Sequence, residues 1–447
     1  MNGSLITRTR ALLFAMAAVL ACFVSSRAQA GAASVPAEPI VFVHGNGDDA
    51  AKWIGITWLF ESNGYAADRL FSVRFTNPSA RTADTVSEPD RSSTVDAASE
   101  LSAFVTRVLL KTHAHKVVLI GSSRGGLTIR NYLRNAGGSA VVSAAILCGT
   151  PNHGVMVTTT GLDGEFNGGG RFLTALNGGS EVVDGVRMLT LRSDTLDKYA
   201  QPDGRASGLA QQTGVTYEGP ALKGATNIVV PNADHRELAF SPAAFAEMYR
   251  FLNGHPPATL KVTPQAKVTV SGLVTGFGAH AATNIGVADV RLTVYALAPG
   301  SANRAGTAYE TTTGADGAWG PVTLDSNVEY EFALTSAGRT ISYFKAPLLR
   351  STNLLNLRLV PATEDAAKGT SHLTIARPDG YFSKERDPVL MNGKPVPEEP
   401  TGLPVRDNFV AHVSGSDGVK VQLRTETIYA RPSMDFQRNL SIVDLLW

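Results

Sequence analysis

The sequence predicts an α/β domain with a mostly parallel sheet, followed by an all-β, sandwich-like C-terminal region. In the first half, short apolar runs alternate with segments whose apolar residues recur at helical spacing. This alternation is typical of a parallel sheet covered by helices on both faces. After Pro256-Pro257 the helical patterns end, and segments of alternating apolar and polar residues separated by turns follow. A chain of 447 residues is long enough for two or three domains.

The elements follow from these patterns in chain order. Buried strands are predicted at 39–45, 116–120, 142–148, 186–191 and 225–231. Helices are predicted over 94–114, after Arg124, and over 241–254, where Ser241 is the N-cap, Pro242 the first helical residue and Gly254 the terminator. In the second half, strands are predicted at 266–272, 290–297, 328–334 and 420–429.

The N-terminus has the features of a secretory signal peptide. Arg8 and Arg10 precede an apolar run at 11–24, and Ala28-Gln29-Ala30 supplies small residues for cleavage. The run is shorter than the ~20 residues that a membrane span needs, so we expect a secreted or periplasmic protein without a stable membrane span. The predicted organisation is a signal peptide (1–30), an α/β domain (31–255), a β-sandwich-like domain (258–361) and a second β domain (369–447).

Charge and ligand patterns exclude several function classes. The chain has 40 basic and 39 acidic residues, and this balance argues against a nucleic-acid partner. Neither zinc-ligand spacing nor a glycine-rich phosphate loop after a strand is present in the sequence. We therefore expect no cofactor and no catalytic metal, while a structural calcium ion and the oligomeric state stay open.

Gly121-Ser122-Ser123-Arg124-Gly125 lies between a predicted strand and a predicted helix. In that context, Gly-x-Ser-x-Gly is the nucleophile elbow of α/β-hydrolases, in which a tight turn exposes the serine at the C-terminal edge of the sheet. The helix N-terminus there favours developing negative charge. An ordinary strand-to-helix turn is the alternative, but the context favours Ser123 as the nucleophile.

The partners of such a serine follow it in the order acid, then histidine. His235 lies in a loop after the last predicted strand, where the base is expected. Asp194 and Asp197 follow the preceding strand, and their positions alone do not separate them as the acid. The loop after the first strand predicts an oxyanion hole formed by the main-chain amides of Asn46 and Arg124.

Four segments resemble the bacterial class 2 lipases and related secreted esterases over about half the chain: "VFVHGNGDDA", "VVLIGSSRGG", "AILCGTPNHG" and "SDTLDKYAQPDG". The last is similar to the lipase pattern in which the triad aspartate stands four residues before Gln-Pro, and this resemblance favours Asp197. The trailing region resembles the C-terminal β lipid-binding part of archaeal lipases. Those lipases place the acid directly after the strand that follows the elbow, whereas "CGTPNHG" has no carboxylate there.

The sequence thus predicts a secreted serine carboxylester hydrolase, a lipase or esterase, that acts on a lipid or ester substrate through an acyl-enzyme. Because "VHGNGDDA" is also similar to loops of extracellular polyhydroxyalkanoate depolymerases, a polyester substrate is the first alternative. A non-catalytic lipid- or polymer-binding protein on a hydrolase scaffold is the second. The glycine-rich insertion at 151–184 is expected to be either a lid or a solvated loop.

Overall fold

The computed structural model describes residues 38–204, 211–361, 371–435 and 438–446. The predicted signal peptide lies outside these residues. Within them, no helix is both long and apolar enough to cross a membrane.

The N-terminal half alternates strands with helices, as its sequence predicts. Its strands are β1 (Ile40–Val43), β2 (Leu70–Ser72), β3 (Ser79–Ala80), β4 (Arg91–Ser92), β5 (Val117–Ser122), β6 (Val142–Cys148), β7 (Arg187–Ser193) and β8 (Thr226–Val230). Its helices are α1 (Ile54–Ser62), α2 (Thr94–Thr112), α3 (Arg124–Asn135), α4 (Arg171–Asn177), α5 (Glu237–Phe240) and α6 (Pro242–Asn253). Six strands form one parallel sheet in the order β2-β1-β5-β6-β7-β8.

The helix ends follow local capping rules. Helix α2 begins with a reciprocal capping box, in which the Ser93 side chain accepts from the Asp96 amide and the Asp96 carboxylate accepts from the Ser93 amide. Helix α6 begins at Pro242 after the Ser241 cap and ends at Gly254, whose φ of 75° is the left-handed conformation of a helix terminator. The predicted boundaries of helix α6 are therefore confirmed.

Apolar side chains cover both faces of the parallel sheet. All residues of β1 and β5 are buried, because helices lie on either side of them. One core cluster packs α1 and α6 against one face, and a second packs α2 and α3 against the other. The predicted layered α/β architecture is confirmed, and it places the carboxyl ends of the strands along one edge.

Every regular element in the described part of the C-terminal half is a β-strand. Its strands are β9 (Lys267–Phe277), β10 (Ala282–Gly286), β11 (Arg291–Leu297), β12 (Arg304–Thr312), β13 (Ala318–Asp325), β14 (Tyr330–Ser336), β15 (Arg339–Lys345), β16 (Leu357–Arg358), β17 (Ser371–Ala376), β18 (Leu390–Met391), β19 (Lys394–Pro395), β20 (Asn408–Val413), β21 (Val419–Leu423), β22 (Glu426–Ala430) and β23 (Asn439–Asp444). A seven-stranded sheet runs β12-β11-β14-β15-β23-β17-β20. Two four-stranded sheets accompany it, one built on β9 and one on β21.

The seven-stranded sheet contains strands from both predicted β domains. Strand β23 pairs in parallel with β15, from Thr340 opposite Asn439 to Lys345 opposite Asp444, and also with β17. The predicted boundary at 361–369 therefore separates two stretches of sequence whose strands share one sheet.

The β region also packs against the α/β domain. Ile54 and Trp58 of α1 belong to a core cluster made mostly of β-region side chains. The Trp58 indole donates to the Ser351 carbonyl at 3.2 Å, and Arg350 pairs with Glu61 at 2.6 Å. Helix α1 thus contributes one face to each half of the molecule.

Candidate active site

Ser123 stands on the sharp turn between β5 and α3. Its φ of 53° and ψ of −121° are unusual for a residue with a side chain. The turn requires glycine on both sides, because a Cβ at Gly125 would lie 2.3 Å from the Val43 carbonyl oxygen. A Cβ at Gly121 would lie 2.8 Å from the Gly125 carbonyl carbon. The elbow geometry expected of Gly-x-Ser-x-Gly is therefore present.

His235 and Asp197 lie within hydrogen-bonding distance of each other at the same edge of the sheet. His235 Nδ1 is 2.8 Å from Asp197 Oδ1, and the two residues are only 3% and 2% exposed. The Tyr199 amide donates to the same carboxylate oxygen at 2.8 Å, and the Tyr199 ring contacts the imidazole edge-on at 4.6 Å between centroids. These contacts hold the imidazole in one orientation.

Asp194, the other candidate acid, faces a different set of groups. Its Oδ1 accepts from the Thr195 amide at 2.8 Å, and both carboxylate oxygens are 3.2 Å from the Asn232 amide. Partial burial acts to raise the pKa of Asp194, but the hydrogen bonds from these amides hold it below its ordinary value. Asp194 therefore stabilises the turn, and the structure brings Asp197, not Asp194, to His235.

Ser123 and His235 line one cavity of about 290 Å³. Asn46 and Asp48 of the loop after β1 also line it, together with side chains from three further parts of the chain. Val155 and Phe166 belong to the glycine-rich insertion, Lys198 and Tyr199 follow Asp197, and Tyr381, Val405 and Asp407 belong to the β region. The insertion thus forms one wall of this cavity.

The two residues whose amides are predicted to form an oxyanion hole both lie close to Ser123 in the fold or the chain: Asn46 lines the same cavity, and Arg124 directly follows Ser123. Arg124 is the first residue of α3, and Asn46 lies in the loop after β1. Among the described residues, neither backbone N–H has an intramolecular acceptor. The loop is fixed by other groups, since Asn46 Oδ1 accepts from the Ala80 amide at 2.7 Å and the Gly47 amide donates to the Pro78 carbonyl at 3.2 Å.

The side chain of Arg124 ties the elbow to the surrounding loops. It is 2% exposed, and its Nε and Nη2 lie 2.9 Å from the Glu165 carboxylate in the insertion. Its Nη1 donates to the Pro78 carbonyl and to the Ser92 hydroxyl. Burial raises the pKa of Glu165, and the pairing with Arg124 opposes that effect.

His44 stabilises the loop after β1 and is not among the residues that line the cavity beside Ser123. Its Nδ1 lies 3.0 Å from the Gly45 carbonyl, and the Phe75 amide donates to its Nε2 at 3.3 Å. Burial lowers the pKa of His44, which favours the neutral imidazole that these two contacts require.

The described residues contain no cluster of side chains suited to a metal ion. No group of three or more His, Cys, Asp or Glu side chains in that part of the chain is arranged to hold an ion. His153, which follows β6, pairs with the Gly219 carbonyl and with Glu181. Cys148 is a free thiol, and its complete burial raises its pKa.

Two stretches of the chain match known protein families. Residues 37–175 match the class 2 lipase family, and residues 266–361 match the lipase C-terminal domain. The first match includes Ser123, Asn46 and Arg124 and ends before Asp197 and His235. Residues 371–446 lie beyond both matches.

Solved structures of lipases and phospholipases are similar to this chain at low sequence identity. Lipase B of Aspergillus fumigatus is 15% identical with a TM-score of 0.38, over 50% of this chain and 54% of that one, so the chain spans about half of that lipase. The propeptide form of Bacillus licheniformis lipase BlEst2 is 14% identical with a TM-score of 0.38, over 89% and 94% of the two chains. Phospholipase PlaB of Legionella pneumophila is 13% identical with a TM-score of 0.36, over 72% and 93%.

Proposed function

We propose that this chain, which contains a class 2 lipase segment and a lipase C-terminal domain, is an exported carboxylic ester hydrolase that acts through Ser123, His235 and Asp197. The observation that carries the proposal is the 2.8 Å approach of His235 Nδ1 to Asp197 Oδ1 beside the cavity that Ser123 lines. A buried carboxylate in that place orients the imidazole and stabilises its protonated form.

The reaction follows from the positions of these groups. Ser123 Oγ attacks the ester carbonyl while His235 Nε2 takes its proton, and Asp197 holds the proton on Nδ1. The Asn46 and Arg124 amides receive the negative charge on the carbonyl oxygen. His235 then protonates the leaving alcohol, and the acyl-enzyme is hydrolysed by water that His235 activates in the same way.

Export is supported by the N-terminal sequence alone, in which Arg8 and Arg10 precede an apolar run and an Ala-x-Ala cleavage pattern. Edman sequencing of the protein recovered from the culture medium or periplasm tests it. A mature chain that begins near Gly31 is expected, and a cytoplasmic protein that retains Met1 would contradict it.

The triad is tested by Ser123→Ala, with the neighbouring Ser122→Ala as the matched control. Ser123→Ala is expected to lower kcat on p-nitrophenyl butyrate by roughly 10⁴-fold or more, because it removes the nucleophile. Ser122→Ala is expected to lower kcat only mildly. A fluorophosphonate is expected to label Ser123 stoichiometrically, as mass spectrometry of the labelled peptide would show. Near-normal turnover by Ser123→Ala would overturn the proposal.

A further inference from the structure

The residues that directly follow the proposed acid and the proposed base approach one aromatic ring of the β region. Lys198 follows Asp197, and Arg236 follows His235. Lys198 Nζ lies 4.2 Å from the centroid of the Tyr381 ring, and Arg236 Cζ lies 5.0 Å from it. Both distances are within the ~6 Å over which a cation is attracted to a ring face. Tyr381 thus links the two loops that carry the pair.

Two main-chain carbonyls and one carboxylate of the β region hold the same two cations. Lys198 Nζ donates to the Val405 carbonyl at 3.0 Å. Arg236 Nη1 donates to the Pro378 carbonyl at 2.9 Å and lies 2.7 Å from the Asp407 carboxylate. Each cation is therefore bound at its charged end as well as over the ring, so its backbone has little freedom to move.

The backbone of Tyr381 makes a third contact with the histidine loop. Its amide donates at 2.8 Å to Asp234 Oδ2, and Asp234, which precedes His235, is fully buried. The other oxygen of Asp234 accepts from the amides of Arg236 at 2.9 Å and Glu237 at 3.0 Å. Asp234 thus closes a tight turn around His235, and Tyr381 anchors that turn.

Charges from the β region keep this turn closed. Arg386 donates to Glu237 Oε2 at 2.9 Å and to Asp234 Oδ2 at 3.0 Å, and Arg377 donates to Glu237 Oε1 at 2.5 Å. Burial acts to raise the pKa of Glu237, but the two arginines, together with Arg424, lower it below its ordinary value. In these contacts, the cations that compensate the buried carboxylates of Asp234 and Glu237 all come from the β region.

We propose that Tyr381 is a positioning residue for ester hydrolysis. Its ring holds Lys198 and Arg236, and its amide holds the Asp234 turn. Together these contacts set the distance between Asp197 and His235. This inference rests on the triad proposed above. It assigns a role in the reaction to residues 371–446, which lie beyond both family matches. A displacement of the imidazole by about 1 Å costs an enzyme on the order of a hundredfold in rate, so a ring that fixes two loops has a measurable effect.

The central test compares Tyr381→Leu with Tyr381→Phe and with the control Lys384→Gln. Tyr381→Leu removes the ring face and is expected to lower kcat on p-nitrophenyl acetate roughly tenfold to a hundredfold, with KM changed less than about threefold. Tyr381→Phe keeps the ring and the amide and is expected to recover most of that loss. Lys384 bonds the Val396 carbonyl in the same segment and contacts neither loop, so Lys384→Gln is expected to match the wild type.

A double-mutant cycle separates positioning from a general weakening of the fold. Lys198→Met removes one of the two cations, and it is expected to cost little further activity in the Tyr381→Leu background, because both changes break the same link. Thermal melts followed by circular dichroism verify that each variant is folded at the assay temperature. If Tyr381→Leu melts below it, Lys198→Met and Tyr381→Phe in the wild-type background carry the test.

Three outcomes would overturn the inference. The first is a wild-type kcat for both Tyr381→Leu and Lys198→Met, and the second is a Tyr381→Phe enzyme as slow as Tyr381→Leu. The third is an effect of Tyr381→Leu that is confined to a rise in KM and grows with the acyl length of the substrate. The last result would mean that Tyr381 only contacts substrate. Ser123→Ala, assayed in parallel, keeps the two proposals apart. An active Ser123→Ala enzyme refutes the triad itself, whereas an inactive one beside a fully active Tyr381→Leu refutes only the role of Tyr381.

Discussion

Replacing Asp197 by asparagine changes the proposed acid while keeping its shape. In the wild type, Asp197 Oδ1 lies 2.8 Å from His235 Nδ1 and accepts from the Tyr199 amide at the same distance. Because Oδ1 makes both contacts, an asparagine that keeps its oxygen there retains both hydrogen bonds but loses the negative charge that stabilises the protonated imidazole. If its NH₂ faces Nδ1, the imidazole proton moves to Nε2, and Nε2 then cannot accept the proton of Ser123.

The expected magnitude follows from the burial and distance of this pair. The same exchange in a serine protease triad lowers kcat by about 10⁴-fold because of the wrong tautomer. Asp197 is 2% exposed, so water does not substitute for the lost carboxylate. We therefore expect a loss of about 10³- to 10⁴-fold in kcat, which corresponds to about 4–5.5 kcal/mol of transition-state stabilisation. The fold should lose only about 0.5–1.5 kcal/mol, the usual net value of one hydrogen bond.

Asp194→Asn is the matched control, three residues away in the same loop. Its carboxylate bonds the Thr195 and Asn232 amides and does not contact His235, so we expect kcat to fall by less than about tenfold. Initial rates on p-nitrophenyl butyrate at several pH values, with urea denaturation of each variant, give both quantities. A larger loss for Asp194→Asn than for Asp197→Asn would refute the assignment of the acid.

Three further predictions concern buried charges and the β region. Burial raises the pKa of Asp379 to about 8, so the folded state holds a proton that the unfolded state releases, and the free energy of unfolding falls as pH rises from about 4 to 8. Asp379→Asn should therefore raise Tm at pH 8 and change it little at pH 4. Equal shifts of Tm at the two pH values in calorimetry would contradict this. Arg124→Met should lower the free energy of unfolding in urea by about 3–5 kcal/mol, because Glu165 remains buried without its cation. Adding Glu165→Gln to this variant should recover part of the lost stability. A loss below about 1 kcal/mol for Arg124→Met would contradict this prediction. A chain ending at residue 361 loses β17 to β23, of which β17, β20 and β23 belong to the seven-stranded sheet. It should be inactive on both p-nitrophenyl butyrate and emulsified triolein, whereas a loss on triolein alone would contradict the role of the β region in the site.

The parallel sheet could be predicted because its strands are buried on both faces and therefore read as continuous apolar runs. Strand β6 occupies the predicted residues, and β5 and β7 differ from prediction by one or two residues at their ends. Strands β3 and β4 have two residues each, pair only with each other and leave no period in the sequence. Such short pairs depend on tertiary contacts, here between the polar loop at 75–93 and the elbow.

The candidate site could be predicted only where a local pattern encodes it. Gly-x-Ser-x-Gly indicates Ser123 as the proposed nucleophile because the turn itself demands glycine at fixed offsets, and the proposal of His235 as the base follows from its place after the last strand. The choice between Asp194 and Asp197 depends on which carboxylate points toward the imidazole, and spacing along a loop does not determine that direction. Tyr381 leaves no local signal at all, because its ring matters only through two cations that lie far from it in sequence.

The β region therefore bears on the chemistry more directly than its sequence indicates. A domain that only bound a lipid surface would leave the loops around Ser123 complete without it. Here Asp234 and Glu237 are buried beside His235, and the cations that compensate them, Arg377 and Arg386, come from the far end of the chain. Removing one partner of a buried charge pair leaves the other uncompensated at a cost of several kcal/mol. We therefore expect the histidine loop to lose this conformation when the β region is removed, and activity to fall even on a substrate too small to touch a lipid-binding surface.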